Sequence, residues 1–276
     1  MPRPFRRLAA AAAASLAICL PASATTASAD FTDLWWNAAE SGWGVNVIQQ
    51  GDTLFATFFV YGADGTARWY VASGLTLAEA TSGTPTFTGK LYQTTGPYFG
   101  GAFDPGNVGV TEVGTATFTF SSTSTASLSY TVGGTTVSKQ VTRQTWRNTS
   151  PAGRYYPGGL TGVASACGNS NNNGPVFFAG QLTASLTGSL AAFAIDFQTS
   201  AGTTTCLFNG TWVQQGRLGA VNNGTWACAS GTTQLNQGTF TLSSVDVQVS
   251  GMTAVFSGSD QFCQYSGRFG GLRDVQ

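Results

Sequence analysis

The chain has 276 residues, of which 12 are basic and 12 acidic, with 9% charged side chains in all and no histidine. The lack of histidine excludes Ser-His-Asp and Cys-His nucleophilic machinery, His-ligated zinc hydrolysis and imidazole proton shuttles, and no stretch clusters Lys or Arg into the basic stripe that a nucleic-acid partner requires. Charge is far below the ~25% usual in soluble domains; Thr, Ser, Gly, Asn and Gln take its place, a surface suited to an extracellular or periplasmic β protein.

The first segment sets the compartment. Arg3, Arg6 and Arg7 precede an apolar run from Leu8 to Leu20, closed by Pro21 and followed by small residues, the order of a secretory signal. The run is too short to cross a bilayer of ~30 Å as a helix, so no transmembrane helix is expected. Two cleavage triplets fit, Ala22-Ser23-Ala24 and Ala27-Ser28-Ala29; the second is preferred and makes residues 1–29 a signal peptide and Asp30 the mature N-terminus. Cys19 in Leu16-Ala17-Ile18-Cys19 is read as discarded with the signal, because bulky Ile18 stands where a lipidation site needs a small residue. The mature chain, secreted or periplasmic, carries nine basic and twelve acidic residues, a net charge of −3.

From Ser41 onward, runs rich in Val, Phe, Tyr and Thr alternate with Gly, Asn, Asp or Ser turns, the signature of consecutive antiparallel strands. Strands are predicted at 44–49, 54–61, 67–73, 86–93, 114–121, 127–132 and 136–146, joined by hairpin turns at Gly51-Asp52, Ala63-Asp64-Gly65 and Gly133-Gly134. Thr117-Phe118-Thr119-Phe120 alternates cleanly, while Leu54 to Tyr61 is apolar on both faces and is expected to be a central strand covered twice. Turn formers at Asn148 to Gly153 divide the mature chain into domains at 30–150 and 151–276. The second strand series is predicted at 153–156, 163–166, 176–186, 191–198, 204–209, 224–229, 238–242, 245–249, 254–257 and 264–269, with a Gly/Asn-rich loop after Cys167. The fold class is therefore all-β: two consecutive antiparallel β-meander domains, small barrels or sandwiches.

Four cysteines remain in the mature chain, Cys167, Cys206, Cys228 and Cys263. An even number in an oxidising compartment favours two disulfides, with three possible connectivities. The motif Asn209-Gly210-Thr211-Trp212 recurs as Asn223-Gly224-Thr225-Trp226, and Cys206 and Cys228 flank the pair. One bridge would then tie this hairpin, leaving Cys167 and Cys263 to join the start and end of the second domain. With no close Cys-x-x-Cys pair and no histidine, a zinc site is disfavoured; neither metal nor cofactor is expected.

The segment Trp35-Trp36-Asn37-Ala38-Ala39-Glu40-Ser41-Gly42-Trp43-Gly44-Val45-Asn46, continuing to Arg68-Trp69-Tyr70-Val71, resembles a WWN-x-x-ESGWGVN segment of secreted bacterial β proteins of unassigned function. Ala38 stands where that segment has Pro. The resemblance covers about 37 of the 276 residues; it implies export and a β-meander and carries no activity.

Trp35, Trp36, Trp43, Trp69 and Tyr70 place five large rings within 36 residues, beside Asn37, Glu40, Asn46 and Arg68. Flat rings next to amide and carboxylate groups suit sugars and small ligands, because the ring covers apolar C–H faces while the polar groups orient hydroxyls. These nine residues form the candidate ligand site, carbohydrate being one candidate ligand; the competing reading makes the rings core. For an enzyme the carboxylates to weigh are Asp33, Glu40, Asp104 and Asp196, as a general acid and base for extracellular glycan hydrolysis, yet no spacing identifies a pair. An outer-membrane barrel shares the strands and the signal, but the C-terminus lacks an aromatic residue. The preferred expectation is a non-catalytic binding or surface-interaction protein.

Overall fold

The computed structural model describes residues 29–78, 84–200 and 202–274; the predicted signal peptide, Cys19 included, lies outside them apart from Ala29. Among these residues the chain forms two closed barrels, each of eight antiparallel strands in chain order. The first comprises β1 (Asp33–Trp36), β2 (Gly44–Gln50), β3 (Thr53–Tyr61), β4 (Ala67–Ala78), β5 (Thr86–Thr95), β6 (Gly109–Phe120), β7 (Thr125–Val132) and β8 (Thr135–Arg143). The second comprises β9 (Gly153–Ser165), β10 (Gly174–Thr187), β11 (Leu190–Thr199), β12 (Gly202–Gln215), β13 (Leu218–Ser230), β14 (Thr233–Val247), β15 (Gly251–Asp260) and β16 (Gln264–Arg273). Each barrel closes first strand to last: Trp35 lies opposite Arg143, and β9 runs beside β16 from Ser165 opposite Gln264 to Tyr155 opposite Arg273.

Alternation builds the interior. In β6 the side chains of Ala116, Phe118 and Phe120 are buried, and the intervening threonines face outward. There Thr117 and Thr119 meet Thr88 and Thr86 hydroxyl to hydroxyl at 2.9 and 3.2 Å. Phe31 enters this core ahead of β1 and stacks on Phe120 at 3.7 Å between centroids. The second core is a lattice of phenylalanines in which Phe208 meets Phe240, Phe256 and Phe269 edge to face. Such pairs add ~0.5–1.5 kcal/mol each beyond the burial of their area.

Three strand expectations are corrected and one strand, β1, is added. β1 has four residues, too few for alternation to be read from sequence. The segments 153–156 and 163–166 are one strand, β9, because its glycines sit where neighbouring backbones crowd in: a Cβ on Gly159 would lie 2.0 Å from the Phe178 carbonyl oxygen, and one on Gly162 2.2 Å from that of Ser266. Likewise 238–242 and 245–249 merge into β14. β3 is not covered twice. A closed barrel has a single interior, so Leu54, Ala56 and Phe58 are buried while Phe55, Phe59 and Tyr61 are exposed outside.

Both disulfides form, Cys206–Cys228 between directly opposed residues of β12 and β13, and Cys167–Cys263 between the β9–β10 and β15–β16 connections. Each Asn-Gly of the repeated motif lies at a register shift within its strand, not in a turn. Among the described residues no helix is long and apolar enough to cross a membrane, and no three metal-ligating side chains gather.

The barrels meet at their inner ends. The β12–β13 turn presses onto the start of the first barrel: the Gly216 N–H donates to the Thr145 hydroxyl at 2.9 Å and the Arg217 N–H to Asp33 Oδ2 at 2.9 Å. Gly216 has φ +63°, and a Cβ there would lie 2.2 Å from Asp33 Oδ2, so this approach requires glycine. Arg217 also pairs with Asp30 and Asp246. The β1–β2, β3–β4, β5–β6 and β7–β8 connections consequently stand at the far end of the first barrel, and both disulfides at the far end of the second.

Candidate functional site

The nine residues singled out in the sequence divide among three environments. Trp35 is core, with no exposed surface. It points inward from β1, donates from Nε1 to the Phe31 carbonyl at 2.9 Å, and holds the Arg143 guanidinium 5.1 Å from its ring centroid. It is therefore removed from the ligand site.

A second group gathers at the outer mouth of the first barrel. Asn37 caps the 3-10 turn Ala38–Glu40, its Oδ1 accepting from the Ala39 N–H at 3.0 Å, and so turns the chain to present Glu40. Glu40 accepts from Trp43 Nε1 at 3.1 Å and pairs with Lys139 at 2.8 Å. The Lys139 ammonium also stands 5.8 Å from the Trp43 ring centroid. Its hydrogen bond, with that from Trp43, holds the Glu40 carboxyl below the usual carboxylate range. Below them Tyr70 and Tyr130 are half-buried against the core, and the Tyr130 ring lies 5.2 Å from that of Phe58. Burial, together with Tyr70 and Glu40, pushes the Tyr130 hydroxyl up. Arg68 is engaged locally, pairing with Asp64 at 2.7 Å across the β3–β4 turn.

The third group lies on the outer wall. Trp36 alternates with Trp35 and faces outward; its Cβ is 4.0 Å from where a Cβ of Gly44 would stand. Register carries the row onward: Gly44 is opposite Phe59, and Phe59 opposite Trp69. Phe59 is 51% exposed and Trp69 53%. Gly44 contributes no side chain, so the row is three rings on β1, β3 and β4 interrupted by a bare backbone. Asn46 lies on the same face, opposite Leu34 and Thr57, and Tyr61 extends the exposed aromatic surface toward the mouth. The β5–β6 connection at that end adds exposed Tyr98, Phe99 and Phe103.

Phe59, Tyr61, Tyr130 and Lys139 were not singled out from sequence. Phe59 and Tyr61 belong to the strand taken as covered on both faces. Lys139 had a readable signal: it occupies an inward position of β8, between Val137 and Val141, where a lysine reaches a barrel mouth.

Each of the four carboxylates weighed for catalysis is held by its own partners, none of them another of the four. Asp33 pairs with Arg143 at 3.0 Å in the joint between barrels, and Glu40 pairs with Lys139. Asp104 caps the turn Pro105–Asn107, accepting from the Gly106 N–H at 2.9 Å, and Asp196 accepts from the Thr205 hydroxyl at 2.6 Å. They lie on separate elements: β1, the 3-10 turn after it, the β5–β6 connection and β11. Comparison with protein-family models, with curated proteins and with solved structures finds no match to this chain.

Proposed function

We propose that this is an exported, non-catalytic binding protein of the kind that carries the WWN-x-x-ESGWGVN segment, and that the outer wall of its first barrel binds carbohydrate. The observation that carries the reading is the row Trp36, Gly44, Phe59 and Trp69, in register across four strands, with two rings half in solvent. Large exposed rings in a contiguous patch have a hydration cost that a partner's apolar face relieves, and pyranose C–H faces suit flat rings while Asn46 offers an amide for hydroxyls. Neighbouring strands lie ~4.8 Å apart, so a chain laid across them meets the rings in succession.

The engagement of each carboxylate by a cation, a cap or a hydroxyl supports binding over hydrolysis, which needs two carboxyl groups facing one bond. The barrel walls support a water-facing role over membrane insertion. A membrane barrel presents apolar side chains outward and polar ones inward, whereas β6, β7 and β8 place Thr115, Thr117, Thr119, Ser127, Ser129, Ser138 and Gln140 outside and phenylalanine, leucine and valine inside.

The test is affinity electrophoresis of the mature chain through gels containing soluble β-glucan, xylan or glycol chitin. Retardation by at least one polysaccharide, lost in Trp69→Ala and Phe59→Ala with unchanged melting temperature, is the expected result. Free migration in all three gels contradicts the carbohydrate assignment.

A further inference from the structure

The outer half of the second barrel holds a cavity of about 280 Å³ that is separate from the aromatic row. Its wall includes Val176, Phe178, Phe197, Phe208 and the Cys206–Cys228 bridge, and no Lys, Arg, Asp or Glu lines it. Exposed Leu235, with Tyr265 and Asn236, stands at the rim. An apolar cavity of about 150 Å³ stays dry and accepts benzene, so this one has room for a molecule of roughly twice that size.

Two wall groups have no hydrogen-bond partner: Thr204 Oγ1, on a residue only 2% exposed, and the indole Nε1–H of Trp226. Thr204 shares the inward face of β12 with Cys206 and Phe208. Buried polar atoms are nearly always paired, and a buried orphan on a cavity wall calls for a missing partner. The Thr204 hydroxyl can donate or accept, so an acceptor oxygen entering the cavity satisfies it; the Trp226 indole, opposite Phe208 while Thr204 is opposite Ser230, stands too far along the ladder for the same atom to serve both. At the rim Asp260 accepts from Tyr265 Oη and from the Phe262 and Cys263 N–H groups, each at 2.7 Å, and from Asn236. Although burial opposes ionisation, these bonds hold the Asp260 carboxyl below its usual range. A fixed negative charge at the opening disfavours an anionic head group.

We infer that the second barrel binds a small, uncharged, predominantly apolar molecule bearing a carbonyl or ether oxygen, with the chain against the phenylalanines and the Trp226 ring and the oxygen at Thr204 Oγ1. A fatty carboxylate is excluded from the class by the uncharged wall and the acidic rim, since burying an unpaired carboxylate is strongly unfavourable.

Calorimetric titration of the full mature chain with 2-nonanone and with nonanoate at pH 7, followed in parallel through the 15N-indole resonances, tests this. Expected are one-to-one binding of the ketone, a shift of the one indole resonance that is absent in Trp226→Phe, because the Trp226 ring lines the cavity, and much weaker binding of nonanoate. Thr204→Val weakens ketone binding about three- to tenfold, the value of one hydrogen bond. Thr204→Val, which removes an orphan without changing shape, also raises the melting temperature of the ligand-free protein by roughly 2 to 4 °C. The inference is overturned if neither heat nor indole shift appears up to the ketone's solubility limit, or if the ketone binds with the indole unmoved and Thr204→Val without effect. Equal affinity for nonanoate overturns the uncharged assignment.

Discussion

Oδ2 of Asp33 in the first barrel accepts the backbone N–H of Arg217 in the second at 2.9 Å while facing Arg143 Nη1 at 3.0 Å. The Arg143 side chain is 1% exposed and donates as well to the carbonyls of Asp30, Thr32 and Thr123. Burial pushes the guanidinium pKa below its ordinary value, with Asp33 opposing that effect. One carboxylate thus compensates a buried charge and fixes the joint between barrels.

Asp33→Ala leaves Arg143 buried without its counter-ion, which costs ~3–5 kcal/mol. Calorimetry of this variant is expected to show a lowered first-barrel transition, separated from that of the second barrel because the Arg217 contact is lost as well. A single transition at the original temperature would show that the pair contributes nothing.

Tryptophan substitutions are expected to divide by face. Trp35→Ala opens a hole beneath Phe31 and Phe120 and costs ~3–5 kcal/mol. Trp69→Ala removes a ring already half in water, and a surface substitution of this kind stays within ~0.5 kcal/mol. Urea denaturation of the two variants reads both numbers; a destabilised Trp69→Ala protein would place that ring in the core.

The disulfides close loops with sequence separations of 22 and 96 residues, for which chain-entropy arguments give roughly 3 and 4.7 kcal/mol. Thiol titration of the unreduced, denatured protein should find no free cysteine. Reduction should lower the melting of the second barrel and leave the first unchanged, since all four half-cystines lie on one side of Gly153. An equal loss in both barrels would contradict this.

Tyr265 provides a pH signature. Burial, then its hydrogen bond to Asp260, raises the phenol to about 12. A raised acid favours the protonated form in the folded state, so its stabilisation is complete below the unfolded value near 10 and is lost as pH rises through 12. Asp260 has the opposite sign: its contribution is present above the unfolded carboxyl value and fades as pH falls below ~4. Ultraviolet titration should show one tyrosine ionising near pH 12, moving down in Asp260→Asn. A Tyr265 titration unaffected by that change would remove the coupling.

The architecture was legible because alternation survives in β2, β6, β7 and β12, and because two cysteines at equivalent places on neighbouring strands, Cys206 and Cys228, suit a cross-strand bridge. What escaped was what a barrel adds beyond its strands. The apolar outer face of β3 reads as buried until closure assigns one side to solvent, and the glycines of β9 read as loop until the crowding of β10 and β16 explains them. Of the candidate site, Trp36, Trp43 and Trp69 were visible by type, but Trp35 was indistinguishable from Trp36. Only the one-residue offset along β1 separates a core ring from a surface ring, and β1 is too short to show its phase. Lys139 lies 99 residues from Glu40, a pairing set by closure of β8 onto β1.

The most direct measurement of the binding proposal is oxidative footprinting of the mature chain, read by mass spectrometry at Trp35, Trp36, Phe59 and Trp69, with and without the polysaccharide that retards it. Phe59 and Trp69 are expected to be labelled in the free protein and protected in the complex, Trp36 less strongly so, with Trp35 unlabelled throughout. Protection elsewhere with Phe59 and Trp69 labelled as before would contradict it, because the row would then be a bystander to binding.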